Sequence, residues 1–455
     1  MSRKITLMSM IAVALAGVAT LALITQTEST PKAGLPVPAQ DAPQSATAVP
    51  VADGVRSNPA TSPTSAEASH RAGSAVASPP ATLPASAGDA VVSEILTQVL
   101  DRTKVPALSA IVVQGGKVVG QATVGVRKKG DPTPAERGDL FHLGTCTKAI
   151  TATLIGELVE EGKLRWDSTI LEVLGTEVPE IHPVLMGVTV DQLLHHRGGL
   201  LPRGPAAVWQ AAQFAKGSDV EQRNAYVEAM LAMEPAKKPG EYQYSNVGYA
   251  VLGKRAEGAG GPPSEDQGRA RVFAPLGITT AVFGPAGSKD DVSAPWPHLS
   301  GTPTWGDNPA CLNSSARISM SLDDWAKFAN LHLGHQPTPP LLSPETMTVL
   351  HTLAGNVRDD QMGYACGWFR PLRPWARGRT LHHTGGNLLT FACIWLLPER
   401  DLGVLVATNE GAPVAGDATD MAAASLLSHF LGEPAEPLDS ARPREKNWPT
   451  AAPKP

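Results

Sequence analysis

Phe141-His142-Leu143-Gly144-Thr145-Cys146-Thr147-Lys148 is the stretch on which the reading of this chain turns. It closes a short apolar run and opens a helical pattern. Ile150, Leu154 and Leu158, with Ile155 and Val159, recur at spacings of three and four, and the pattern predicts a helix over residues 145–164 with Gly162 near its end. A hydroxyl therefore stands at a helix start, and a lysine follows it three residues on. Side chains at i and i+3 share a helix face. The positive end of the helix favours negative charge developing on that hydroxyl. A lysine desolvated one turn later has its pKa lowered and can act as a base.

Two other stretches carry chemistry. Tyr242-Gln243-Tyr244-Ser245-Asn246-Val247-Gly248-Tyr249 offers a phenol at Tyr244 for proton transfer and an amide at Asn246 for a substrate carbonyl. His383-Thr384-Gly385-Gly386 precedes a β-rich run, and its glycines allow close backbone approach.

Outward from these stretches, the two ends of the domain read as strands and its middle as helices. Residues 90–100 have helical spacing. Residues 108–113 and 117–124 are β-rich runs around Gly115-Gly116 and predict a hairpin. Residues 191–196 read as a short helix closed by Gly198-Gly199. Residues 389–396 and 403–408 are two further strands joined by Pro398-Glu399-Arg400-Asp401, and 418–431 is a final amphipathic helix. The pattern predicts an α+β fold: one mainly antiparallel sheet assembled from both ends of the chain, with the mid-chain helices as an inserted lobe.

The 455 residues are 42% hydrophobic and 18% charged, enough apolar material for a sizeable core. A net charge of -5 argues against a broadly basic nucleic-acid binder. Four cysteines do not make a disulfide framework or a zinc ribbon. Residues 1–24 pair Arg3-Lys4 with an uncharged stretch from Ile5 to Ile24. They read as an export signal or as a retained membrane anchor with its basic end cytoplasmic, and place the protein in the periplasm or outside the cell. Residues 25–88 hold ten prolines and no Phe, Trp or Tyr, and read as a disordered linker. Residues 432–455 read as a Pro-rich disordered tail. The folded domain is then 89–431.

The three stretches, in this order, resemble the Ser-x-x-Lys, Tyr-x-Asn and His-Thr-Gly motifs of the serine β-lactamase and penicillin-binding-protein superfamily, in its class C-related branch of esterases, D-aminopeptidases and DD-peptidases. Asp191-Gln192-Leu193-Leu194-His195-His196-Arg197-Gly198-Gly199-Leu200, Phe273-Ala274-Pro275-Leu276-Gly277 and Gly363-Tyr364-Ala365-Cys366-Gly367-Trp368 are similar to further segments of that branch. The resemblance implies the β-lactamase/DD-peptidase fold, with a cleft between sheet and helical lobe. It implies Thr145 as nucleophile, Lys148 as its partner base and Tyr244 as proton relay. Asn246 would orient substrate. His383 and Thr384 would bind its polar end. Gly385 and Gly386 would border it, with the amides of Thr145 and Gly386 as oxyanion donors. No cofactor or metal is expected, and the partner is a small-molecule or peptide substrate.

The chain departs from the pattern at the nucleophile, which is threonine. Ser29-Thr30-Pro31-Lys32 is the one Ser-x-x-Lys in the sequence, and it lies in the linker. The added methyl restricts χ1. Two functions follow: an exported hydrolase of esters or amides acting through an acyl-enzyme, or an impaired enzyme whose cleft binds a peptide, a cell-wall fragment or a partner protein. The alternative role for Thr145 is that of a helix cap alone. Cys146, about 100° round the helix, should face elsewhere. The pairs His195-His196 and His382-His383, and His332 with His335, show no metal-site spacing. Histidine at 383 removes the lysine that would meet a β-lactam carboxylate, a charge that Arg377 or Arg379 would have to supply.

Overall fold

The hairpin forms as expected. Strands β1 (Ala107–Gln114) and β2 (Lys117–Gly125) are joined by Gly115 and Gly116, whose φ angles of 60° and 72° are those of a tight hairpin turn. The structure, a computed structural model, describes residues 87–355, 363–411 and 413–435. The expected leader or anchor at 1–24 lies outside the described residues, as do nearly all of the linker and most of the tail. Among the described residues no helix is long and apolar enough to cross a membrane.

Helix α1 (Ala87–Thr103) leads into the hairpin. The far end of the chain supplies β5 (Gly363–Tyr364), β6 (Phe369–Arg370), β7 (Leu381–Gly386), β8 (Phe391–Leu397), β9 (Leu402–Thr408) and α7 (Val414–Leu431). These complete a seven-stranded antiparallel sheet in the order β2-β1-β9-β8-β7-β6-β5. The first hairpin and the last strand are direct neighbours, with Leu108 opposite Thr408 and Gln114 opposite Leu402. Strand β8 starts at Phe391, two residues later than expected. The Asn387 side chain accepts from the amides of Leu389 and Thr390 and so replaces the ladder there.

Both faces of the central strands are covered. Leu108, Ala110, Val112, Trp395, Val404 and Val406 face α1 and α7. Ile111, Val113, Ile394, Leu396, Leu405 and Ala407 face the other core, under the site. That double burial explains why these strands read as continuous apolar runs, with each fully buried Leu, Ile or Val contributing about 1.5–3 kcal/mol.

A short strand β3 (Leu140–His142) pairs with β4 (Ile318–Ser321) beside this second core. After it come a 3₁₀ turn (Gly144–Cys146) and helix α2 (Thr147–Glu160). The predicted helix is thus shorter at both ends, with Gly144 at φ 50° and Gly162 at φ 71° marking the limits. The lobe includes α3 (Val190–Leu194), α4 (Asp219–Leu231) and α5 (Asn246–Gly260). Arg223 of α4 is fully buried and ties the lobe together through Glu257 of α5 and Glu265. Helix α6 (Leu322–Leu333) returns behind the sheet.

The interior holds a set of neutral histidines. Burial pushes His351 and His382 down to about 3, and holds His196, His332 and His383 well below the ordinary imidazole range. His332 and His351 bond to each other at 2.9 Å, and His382 stacks on Trp395. For His195 burial acts the same way, but its neighbours Cys366 and Asp191 raise it to about 11, so it keeps its proton across the acid range. The five lowered groups, with His298 lowered by burial in the same way, make the unfolded state the stronger proton binder below pH 6.5. Stability should therefore fall as pH drops from about 6.5, by about 1.4 kcal/mol per histidine one unit lower. His195, raised, adds stability only as pH falls toward 6.5 and contributes no slope below it, so thermal melts from pH 6.5 to pH 5 should show that loss. A flat profile would contradict the buried neutral assignment.

Candidate active site

Two glycines bring the site together. A Cβ on Gly144 would lie 2.2 Å from the Gly386 nitrogen, and one on Gly385 would lie 1.9 Å from the Leu143 oxygen and 2.7 Å from the Thr145 nitrogen. The turn before α2 therefore touches the end of β7 backbone to backbone. That contact places the amide nitrogens of Thr145 and Gly386 at one point. Gly367, at φ 81°, presses in the same way on the Lys148–Ala149 backbone, which accounts for the glycine in Gly363-Tyr364-Ala365-Cys366-Gly367-Trp368.

Thr145 is half-buried in the 3₁₀ turn and caps nothing. The N-cap residues of the turn and of α2, Leu143 and Cys146, make no side-chain cap bond. The Thr145 hydroxyl donates to the Thr384 carbonyl at 2.8 Å. Cys146 is buried, its thiol points at the His383 carbonyl at 3.6 Å, and burial pushes it far above the range in which a thiolate forms. The other three cysteines are likewise free and buried.

Lys148 is 0% exposed. Its Nζ donates to Asn246 Oδ1 at 2.7 Å and to the Ser315 carbonyl at 3.0 Å, and lies 4.9 Å from the Tyr244 ring centre and 5.4 Å from that of Tyr249. Burial holds its pKa well below the ordinary lysine value, because both acceptors are neutral and no carboxylate repays the desolvation. A neutral amine has two N–H donors. The two acceptors match them, which leaves the lone pair free.

Ser245 caps α5, its Oγ accepting from the Gly248 amide at 3.1 Å and donating to the Leu201 carbonyl at 2.6 Å. That cap fixes Tyr244 and Asn246 on either side of it. The Tyr244 phenol is raised far above the usual tyrosine value by burial, with the neighbouring Thr145 side chain pulling the other way. His196, at φ 57°, accepts the Ser245 amide at 3.2 Å and packs against Tyr244 and Tyr364, with ring centres 4.2 and 4.4 Å away. It is a positioning residue for Tyr244. Its place in Asp191-Gln192-Leu193-Leu194-His195-His196 carries no sequence signal of that role.

The ring of His383 is 1% exposed. Its Nδ1 donates to the Thr384 carbonyl at 2.5 Å, since a carbonyl only accepts, so Nε2 accepts from the Tyr364 hydroxyl at 3.2 Å. Thr384 is the half-buried residue beside it, and its carbonyl takes both the His383 and the Thr145 proton. Arg377 and Arg379 do not reach this point. They pair with Glu433 and Glu399 at the opposite end of β7, so neither supplies the charge that a substrate carboxylate would need. The structure thus gathers Thr145, Lys148, Tyr244, Asn246, Thr384, Gly385 and Gly386 around one point, with His383 beneath. Sequence reasoning missed Ser315, Tyr249 and His196. Ser315 acts through its backbone and leaves no side-chain signal.

A family model described as Beta-lactamase matches residues 92–428. The chain is 26% identical over 348 residues to penicillin-binding protein 4 of Amycolatopsis lactamdurans, covering 73% of this chain and 85% of that one. It is 26% identical over 193 residues to a putative D-alanyl-D-alanine carboxypeptidase of Escherichia coli O157:H7, spanning 40% of this chain and less than half, 44%, of that protein. A class C β-lactamase from Rhodobacter sphaeroides superposes with a TM-score of 0.61 at 21% identity, over 75% of this chain and 99% of that one. This last likeness is one of fold.

The glycine contact makes a sharp prediction. Gly385→Ala would drive a methyl into the Leu143 carbonyl. It should cost about 1–3 kcal/mol in a denaturant titration and separate the two halves of the site. Gly378→Ala, where the added methyl meets only the Glu399 side chain, should cost less.

Proposed function

The chain belongs to the beta-lactamase family, and from that premise we propose that it hydrolyses an ester or amide through an acyl intermediate on Thr145. At family level it is a β-lactamase-related hydrolase. The observation that carries the finer reading is Lys148, buried, depressed in pKa and bonded to two neutral acceptors, as many as a neutral amine has donors.

In this scheme Thr145 Oγ1 attacks the substrate carbonyl carbon as its proton leaves for the Lys148 amine. The Tyr244 phenol, buried beside Thr145 and with its ring centre 4.9 Å from Nζ, is the relay. The amides of Thr145 and Gly386 stabilise the oxyanion. The proton passes to the leaving oxygen or nitrogen as its bond to the acyl carbon breaks. Water then adds to the acyl carbon while giving a proton to the Lys148 amine; the bond from the acyl carbon to Oγ1 breaks, that proton returns to Thr145, and the carboxylic acid leaves. Arg3-Lys4 and the uncharged residues 5–24 support export as part of the same proposal.

A second reading has its own support. Thr145 directs its proton to the Thr384 carbonyl, as expected of a disabled nucleophile in a cleft kept for binding. Labelling with a fluorophosphonate and with a fluorescent penicillin, located by peptide mass spectrometry, separates the two. A Thr145 adduct absent from Thr145→Ala supports turnover. Labelling of Thr145→Ser alone supports the binding reading. Where the native protein is active, Lys148→Arg, which keeps a donor but cannot accept a proton, should slow acylation by about 10²–10⁴-fold.

A further inference from the structure

The end of β7 offers substrate no fixed positive charge. His383 is neutral, and both its ring nitrogens are bonded within the fold. Arg377 and Arg379 are held at the far end of the strand by Glu433 and Glu399. The side chain set outermost on this stretch is the half-buried hydroxyl of Thr384, which is uncharged. A carboxylate beside the scissile bond would lose water here without gaining an ionic partner from the strand.

The hairpin beyond the strand carries an anomaly. Leu388 stands two residues past Gly386, which abuts the nucleophile turn. It has φ 74° and is 45% exposed. A left-handed backbone is costly for any residue with a Cβ, and an exposed leucine gains nothing from burial. Glycine would avoid both penalties. The backbone there is fully determined: Asn387 Oδ1 accepts the Leu389 amide, the His298 amide donates to the Leu389 carbonyl, and a Cβ on Gly411 would lie 1.9 Å from the Leu388 oxygen. Strain held in place at the rim of a site points to use by a ligand. On the Tyr244 side, Tyr242 is 41% exposed, its ring 6.4 Å from that of Tyr364.

We infer that the site takes neutral esters or amides whose apolar acyl group packs on Leu388 and Tyr242, and disfavours substrates with a carboxylate next to the bond that breaks. This inference rests on the acyl-transfer reading above. It makes Leu388 a specificity residue.

The test compares phenyl hexanoate, phenyl acetate and 3-carboxyphenyl hexanoate as substrates of the full chain. Phenyl hexanoate should exceed its carboxylated counterpart in kcat/KM by at least about tenfold. Leu388→Gly should lower kcat/KM for the hexanoate about tenfold, leave the acetate within about twofold and not lower the melting temperature. Equal turnover of the two hexanoates, or a Leu388→Gly effect that is the same on acetate and hexanoate, overturns the inference. If no ester is turned over, the acyl-transfer reading fails by itself, and calorimetric binding of hexanoylglycinamide against hexanoylglycine decides this one. Tighter binding of the amide supports it. Equal binding, tighter binding of the acid, or binding of neither overturns it.

Discussion

The contact between Gly144 and the Gly385-Gly386 pair sets the terms for the rest of the molecule. A helix start and a strand end meet there with no side chain between them, and the missing Cβ atoms of Gly144 and Gly385 would fall 2.2 and 1.9 Å from the facing backbone. Such proximity needs both partners held rigidly. On one side β3 and β4 anchor the turn, with the Leu143 amide bonded to the Ile318 carbonyl at 2.8 Å and the Gly144 amide to His142 Nδ1 at 3.0 Å. On the other, β7 is clamped along six residue pairs with β8. The sheet and the small β3–β4 unit serve to present two backbone amides at one spot.

Around that spot the fold accepts unfavourable terms. A lysine is removed from water without a counter-charge, a phenol and several imidazoles are buried neutral, and His196 and Leu388 adopt left-handed backbone. The compensation is local and polar. Lys148 finds two acceptors, Tyr249 donates to the Leu194 carbonyl at 2.8 Å, and His383 is bonded at both nitrogens. Tyr244 stacks on Phe369, Tyr364 meets Phe369 edge to face, and His196 packs tilted against both tyrosines, so the rings exclude water from the amine. Low dielectric and depressed lysine pKa have the same origin.

Much of this was legible from the residues. The β1–β2 hairpin announced itself through Gly115-Gly116, and the sheet built from both ends followed from strand-like runs at both ends. Thr145, Lys148, Tyr244 and Asn246 come together as their motif order implied. What escaped was carried by backbone or by direction. The Ser315 carbonyl has no sequence signature. The start of α2 moved because Gly144 adopts a positive φ, which a periodicity count does not register. His383 reads as a polar residue beside a strand, and only the pleat reveals that its ring turns inward while Thr384 comes nearer the surface. His196 stands in a histidine pair whose spacing fits no metal site, and its task is to hold the amide of Ser245.

The adjacency of β1 and β9 has a consequence for biogenesis. The Thr408 hydroxyl donates to the Ala107 carbonyl across 301 residues of sequence. Until residue 408 has been synthesised, β1 lacks its inner neighbour, and the apolar faces of the first hairpin have no sheet to join. Contacts of such separation close slowly and leave strand edges unpaired meanwhile. The first hairpin must therefore wait, its apolar faces open to chaperones, until the strands from the far end of the sequence have been made.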